Sequence, residues 1–248
     1  MPKQSDISKQ NDRIYADKQA SNPFKFDQKV AAVFPDMIKR SVPGYENIIH
    51  NIQQLAEKYV TENSVCYDLG CSLGAASLAI SYGNQHSGVK IIAVDNSSAM
   101  IERCATNISG FKHQTPIELV QADIQQVTIE NASMVVLNYT LQFIAQPLRL
   151  DVLTKIYQGM NNGGILLLSE KINFSDGTIN QLMIELHHQF KRINGYSELE
   201  ISQKRNALET VLVPETMPAH IQRLKEIGFS HVSCYQQQLN FASFIAIK

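Results

Sequence analysis

From residue 64 the sequence alternates short apolar runs with amphipathic stretches, and few folds accommodate that alternation. SVCYDLG, VKIIAVD, IELVQAD, ASMVVLNY and GGILLLSE read in order as five strands. Helical periodicity predicts helices over about 75–82, 97–109 and 147–160 between them. Strands that are apolar along their length and separated by helices belong to βαβ units, whose parallel sheet is buried on both faces. The C-terminus departs from this alternation. HIQRLKEIGF is a helix stopped by Gly228, and HVSCYQQQ and NFASFIAIK then lie only a short loop apart, so they must pair antiparallel. The expected fold is α/β: a seven-stranded, mainly parallel, Rossmann-like sheet with an antiparallel last strand.

The chain has 248 residues, enough to bury a sizeable core. Residues 1–22 are polar and rich in Lys, Gln, Ser and Asp, which predicts a disordered leader ahead of a single domain over 23–248. Pro43 and Gly44 punctuate two helical patterns that precede the first strand. Between the fifth strand and the last helix lie about 45 residues, more than one connecting helix needs. This helical insertion, about 175–214, carries Ile179, Leu182, Met183, Leu186, Phe190 and Ile193 on one helical face. Its second helix begins at Ser197, with Glu200 placed to complete a capping box. A two-helix lid or a dimer surface is expected.

Charge and composition exclude several classes. Lys plus Arg number 22 against 23 for Asp plus Glu, and no more than two basic residues are adjacent, so direct nucleic-acid binding is not expected. The four cysteines form no C-x-x-C pair, which favours reduced thiols in a cytoplasmic protein. The N-terminus lacks an apolar secretion region, and no run approaches the roughly 20 apolar residues of a membrane span.

Candidate binding residues fall at successive strand ends, the carboxyl edge where open α/β sheets hold ligands. In Asp68-Leu-Gly70-Cys71-Ser72-Leu-Gly74, glycine suits a backbone that turns sharply against a ligand. A dinucleotide site calls for G-x-G-x-x-G facing a pyrophosphate; here Ser72 takes the second glycine's place and Ala75 the third's, which fits a ligand without phosphate. The second strand ends in Asp95-Asn96, where a carboxylate can accept from both ribose hydroxyls. The third ends in Asp123-Ile124, suited to an adenine amine through one carboxylate and an adjacent N–H, and the fourth ends in Asn138. Each also has a plain structural role: Gly70 in a turn, Asp95 capping the helix that follows it, Asn138 satisfying loop backbone. Together they make the layout of the class I S-adenosylmethionine-dependent methyltransferase fold, which the chain resembles.

Other clusters read as structural. Glu185-x-x-His188 has the spacing of one half of a di-iron site but lacks the other ligands, so no metal is expected. Cys71 has no neighbouring pattern that would activate its thiol. Tyr45, Lys191, Arg192 and the pair Lys204-Arg205 are, by composition alone, packing or solvated helix residues.

A more specific resemblance separates them from that background. VFPDMIKRSVPGYENII, YDLGCSLGAASL, AVDNSSAMIERC, ENASMVVLNYTLQF and HHQFKRINGYSELEISQKRNALE look like the carboxy-S-adenosyl-L-methionine synthase family, over about residues 26–248. The stretch NGYSELEISQKR distinguishes that family from ordinary methyltransferases. The resemblance implies that S-adenosyl-L-methionine is a substrate, converted with prephenate into carboxy-S-adenosyl-L-methionine, phenylpyruvate and water. A sulfonium acidifies its methyl protons, and the resulting ylide can attack carbon dioxide released from prephenate.

The product then serves a tRNA carboxymethyltransferase that makes 5-oxyacetyluridine at the wobble position. Carried over by matching motif, the resemblance implies contacts with the S-adenosyl group from Tyr45, Gly70, Cys71, Ser72, Asp95, Asn96, Asp123, Ile124 and Asn138. Arg205 would be the catalytic residue, gripping the added carboxylate, and the assembly would be a homodimer. Lys204, Lys191 and Arg192 are the cations nearest in sequence for prephenate's carboxylates. An ordinary methyltransferase and a non-catalytic S-adenosyl-binding protein are the alternatives left open by the shared loop.

Overall fold

A computed structural model describes residues 11–18 and 22–248. Helices α1 (Gln28–Ser41) and α2 (Tyr45–Tyr59) precede the alternating unit β1 (Val65–Leu69), α3 (Ala75–Gly83), β2 (Lys90–Asp95), α4 (Ser98–Ser109), β3 (Ile117–Gln121), β4 (Ala132–Asn138), α5 (Gln146–Gly159) and β5 (Met160–Asn173). The insertion is α6 (Gly177–Ile193) and α7 (Glu198–Glu209). After it come β6 (Glu215–Thr216), α8 (Met217–Ile227), β7 (His231–Gln238) and β8 (Phe241–Ile247).

The sheet runs β3-β2-β1-β4-β5-β8-β7, with β1 to β5 parallel and β8 antiparallel to both neighbours. The seven strands read from the sequence are therefore present in the expected arrangement. An eighth, the two-residue β6, pairs with the end of β5 at Ile172↔Glu215 and Asn173↔Thr216. Its brevity hides it from any periodicity argument.

Both faces of the sheet are covered, as the apolar strands require. Leu153 and Ile156 of α5 and Leu224 of α8 meet Leu137, Leu166 and Phe244 on one face. Ile48 and Ile52 of α2 and Ile80 of α3 meet Cys66, Val136 and Leu167 on the other. Local chemistry sets the helix starts. Ser97 and Asp176 accept from the backbone N–H groups of Met100 and Ile179, and Ser197 and Glu200 complete the expected capping box of α7. Among the described residues, no helix is long and apolar enough to cross a membrane.

Two buried charges fasten the insertion. Arg149 of α5 is fully buried; it donates to Ile144 O at 2.9 Å and Val213 O at 2.8 Å, and pairs with Glu215 at 2.5 Å. That ties the returning end of the insertion to the core.

At the other end lies a segment expected to be leader. Residues 1–10 and 19–21 lie outside the described residues; of residues 11–18, Asp12 is buried and Ile14, Tyr15 and Ala16 are half-buried. Asp12 is 1% exposed: its carboxylate takes the Tyr196 hydroxyl and lies 3.6 Å from Lys204 Nζ. Its carbonyl accepts from Arg40 and its N–H donates to Asp36 Oδ2 at 2.7 Å. A polar composition conceals such packing, because a buried carboxylate matched to cations leaves no hydrophobic pattern.

Replacing Arg149 with Met removes the buried donor shared by Glu215 and the carbonyls of Gln142, Ile144 and Val213, and leaves Glu215 paired with Arg223 alone. We expect a loss on the order of 3 kcal/mol, read from the urea midpoint of unfolding.

Candidate active site

The carboxyl ends of β1, β2 and β4 converge on one edge, and the loop after β1 has little conformational latitude. Gly70 sits at φ +84°, and a Cβ there would stand 2.2 Å from Thr140 Oγ1. Ser72, in the place of a glycine, also takes a positive φ, 47°. Gly70 and Cys71 donate their N–H groups to Val94 O at 2.8 Å each, so the loop is bonded to β2 before any ligand is considered.

Asp95 completes that link. Its carboxylate accepts from Ser72 N and Ser97 N, each at 2.9 Å, and burial raises its pKa. Ser97, not Asp95, caps α4. Each carboxylate oxygen keeps further acceptor capacity on the ligand side. Asn96 beside it is exposed. Asp123 accepts from Gln125 N at 3.0 Å, and Ile124 is buried next to it. The side-chain oxygen of Asn138 is buried without a hydrogen-bond partner, an arrangement that favours a ligand donor.

The structure thus gathers Gly70, Cys71, Ser72 and Asp95 by direct bonds and places Asp123 and Asn138 at neighbouring strand ends. Tyr45 joins them: Gly44, at φ +76°, starts α2, and the Tyr45 phenol is pushed up by burial and by the charge of Asp68. The thiol of Cys71 is buried against Cys104, and its pKa is raised. This matches its reading as an unactivated thiol.

Arg205 stands apart. It is exposed on α7 and, among the described residues, its side chain makes no hydrogen bond or ion pair within the chain. Its charge nevertheless lowers the pKa of Lys191 and His188.

Several residues along this edge have properties that the sequence does not reveal, and it does not single out Glu170, Tyr139 or Lys171. Asp68 receives the Ser77 hydroxyl at 2.6 Å, yet burial and nearby Asp95 push its pKa up to about 6. Glu170 is fully buried, takes the N–H of Leu141 at 3.0 Å and is pushed well above the usual carboxylate range by burial. Tyr139, at φ +64°, has a buried hydroxyl without a partner. Lys171, two residues before the end of β5, has its pKa lowered by burial. A lone charged residue at the end of an apolar strand is the only signal that could have flagged Glu170 and Lys171.

The three cations named for a dianion also separate. Arg192 is bonded to Glu198 at the surface and Lys204 is engaged by Asp12, whereas Lys191 is 7% exposed with no carboxylate bonded to it among the described residues. Among those residues, no group of three or more His, Cys, Asp or Glu side chains could hold a metal ion.

The Asp68 shift has a measurable consequence. A carboxyl whose pKa rises from 3.8 unfolded to about 6 folded binds more protons in the native state across that window, so stability falls as pH rises from about 4 to 6. Asp68→Asn keeps a partner for Ser77 and removes the titration. Thermal unfolding of the variant should lack this component, which is on the order of 3 kcal/mol.

Comparison with known proteins agrees with this geometry. Residues 66–164 match the methyltransferase domain family. Human N-acetylserotonin methyltransferase in complex with SAM superposes with a TM-score of 0.59 at 15% identity, covering 89% of this chain and 55% of that one. An O-methyltransferase family protein of Burkholderia thailandensis gives 0.63 at 14%, covering 93% and 65%. These likenesses establish the class I methyltransferase fold. The carboxy-S-adenosyl-L-methionine synthase of Cronobacter sakazakii is 56% identical over 223 residues, 90% of each chain. That of Shewanella loihica is 55% identical over 238 residues, 96% of this chain and 98% of the relative. With that identity spanning the strand-end loops and the inserted helices alike, the chain belongs to the carboxy-S-adenosyl-L-methionine synthase family.

Proposed function

We propose that this chain converts S-adenosyl-L-methionine and prephenate into carboxy-S-adenosyl-L-methionine, phenylpyruvate and water. The observation that carries the reading is identity above 50% over nine-tenths of the chain to synthases of that name. The site fits the S-adenosyl group. Asn138 offers an unpaired acceptor, and the Gly70 turn leaves no room for a side chain. Asp68 and Asp95 concentrate negative charge where a ligand with a sulfonium and an ammonium would relieve it.

In this reading Tyr45, Gly70, Cys71, Ser72, Asp95, Asn96, Asp123, Ile124 and Asn138 hold the S-adenosyl group. When bound, its sulfonium acidifies the methyl that is to be carboxylated. Arg205 matches the new carboxylate with a planar, two-pronged donor set, which favours the product over its precursor. Its freedom from internal partners leaves it available to a ligand. The exposed apolar residues Ile179, Leu182, Ile193 and Leu199 on α6 and α7 support a homodimer through the insertion. The product would supply a cytoplasmic tRNA carboxymethyltransferase acting at the wobble uridine, with no nucleic acid bound by this chain itself.

Incubation with S-adenosyl-L-methionine and prephenate should give a species heavier by one carboxyl group in mass spectrometry. A folded protein that yields only S-adenosylhomocysteine would identify an ordinary methyltransferase instead. Arg205→Leu should weaken carboxy-S-adenosyl-L-methionine binding by about tenfold or more while S-adenosylhomocysteine affinity stays unchanged; equal losses for both ligands would overturn the role given to Arg205.

A further inference from the structure

Beside the acidic edge lie Lys171 and Lys191, neither bonded to a carboxylate among the described residues. Lys171 is directly opposite Phe241 in the antiparallel β5–β8 pair, so the two side chains share a face of the sheet. The Phe241 ring packs edge-on against Tyr139 at 5.8 Å and against His187 at 4.9 Å, which leads from the end of β4 to α6. Lys191 lies one helical turn beyond His187 and is 7% exposed.

Burial lowers Lys171, and the charges that act on Lys191 are all positive. Lys191 is depressed to about 7 by burial and by the charges of Lys204, Lys171 and Arg205. His187, whose Nε2–H donates to Ser41 O at 2.8 Å, is lowered to about 2 by burial and then by Lys191 and Lys171. His188 is lowered by burial, then by the same two lysines and by Arg205 and Arg192. Asp12 is the carboxylate that reaches toward this group, and it is engaged by Lys204 and Tyr196.

Burying one ammonium without a partner costs several kcal/mol, and a second close by adds repulsion. A folded chain that keeps Lys191 covered, within reach of the charge on half-buried Lys171, destabilises itself unless an anion joins them. Core histidines or surface lysines do not account for the pattern, because Lys191 is nearly covered and no acidic side chain pairs with it among the described residues.

We propose that Lys171 and Lys191 form the receptor for the two carboxylates of the dianionic co-substrate, one ammonium for each, with Arg205 at the exposed rim. This rests on the reading of the chain as a prephenate-dependent synthase, and it moves the dianion from Lys204 and Arg192, both already paired, to a pair that includes Lys171 of the sheet. The placement also suits the reaction. Lys171 leaves the same carboxyl edge as Asn138, two residues beyond Ser169, which is the register partner of Asn138.

The test is steady-state kinetics on Lys171→Met and Lys191→Met, following the carboxylated product by mass spectrometry at varied prephenate. Each variant should raise the KM for prephenate at least about tenfold while the Kd for S-adenosylhomocysteine stays within about twofold. Lys191→Arg, which keeps the charge, should recover part of the loss. Without small molecules, Lys191→Met should melt at or above the wild-type temperature, since it replaces an unpaired buried charge with an apolar side chain of similar volume.

Two results would overturn the subsite. One is a wild-type KM for prephenate in both Met variants. The other is a Lys191→Met chain that unfolds, because the ammonium would then be a structural partner. A wild-type protein that makes no carboxylated product would instead overturn the reaction itself, which separates the two failures.

Discussion

A parallel sheet delivers the carboxyl end of every strand to one edge, and the candidate site is a consequence of that delivery. Loops leaving β1, β2 and β4 can meet there only if each is held back against its neighbour, and the backbone supplies much of the restraint. Val94 O takes two N–H groups from the loop after β1, and the Asp95 carboxylate takes one N–H from that loop and one from its own. Asp95 is therefore both a candidate ligand and the pin joining two loops. Positive φ at Gly70, Ser72 and Tyr139 marks where the chain bends away from the sheet, a conformation that a non-glycine residue keeps only when its surroundings determine it.

Along this edge the buried charge changes sign. At the β1 and β2 ends, Asp68 and Asp95 lie close enough to raise the pKa of Asp68. At the β5 end and on α6, burial lowers both Lys171 and Lys191, and the charges of Lys204, Lys171 and Arg205 lower Lys191 further. Among the described residues neither end is neutralised from within: Asp68 accepts the Ser77 hydroxyl, and the charges acting on Lys191 are cationic. Salt screens such buried groups far less than surface charges, so the polarity persists at physiological ionic strength. Charged groups held in fixed positions before a ligand arrives need little rearrangement when it does, which makes their interaction stronger than the same contacts in water.

The layers of this molecule differ in how openly they are written in the chain. Strands β1 to β5, the terminal hairpin and the capping box at Ser197 follow from patterns over neighbouring residues, where periodicity and hydrogen-bond chemistry are local. The loop residues Gly70, Ser72 and Asp95 were legible because strand ends in such sheets occupy known places. Asp12 was not, since its burial depends on Tyr196 and Lys204, which lie 184 and 192 positions away. Lys171 and Glu170 were hidden for a related reason. Adjacent in β5, they point to opposite faces: Glu170 opposes Ala242 in one core and Lys171 opposes Phe241 in the other. What each meets is set by pairing across the sheet, and no window along the chain contains it.

The same long-range pairing fixes the helix that carries Arg205. Consecutive residues on a helix point about 100° apart, so burying Lys204 turns Arg205 toward the flank. Lys204 is held from two sides, by Ser41 Oγ at 2.9 Å and by Asp12, and Asp12 is held in turn by Tyr196 and Arg40. Arg40 also lies over the Tyr196 ring, 3.9 Å from its centroid, and bonds the carbonyl of Asn194 at 2.7 Å. Helix α1, the segment around Asp12 and the turn between α6 and α7 therefore act as one clamp on the first turns of α7. A buried ammonium is expensive wherever it sits; here the carboxylate that offsets it comes from the far end of the chain, so the orientation of Arg205 depends on residues that contribute nothing to the sheet.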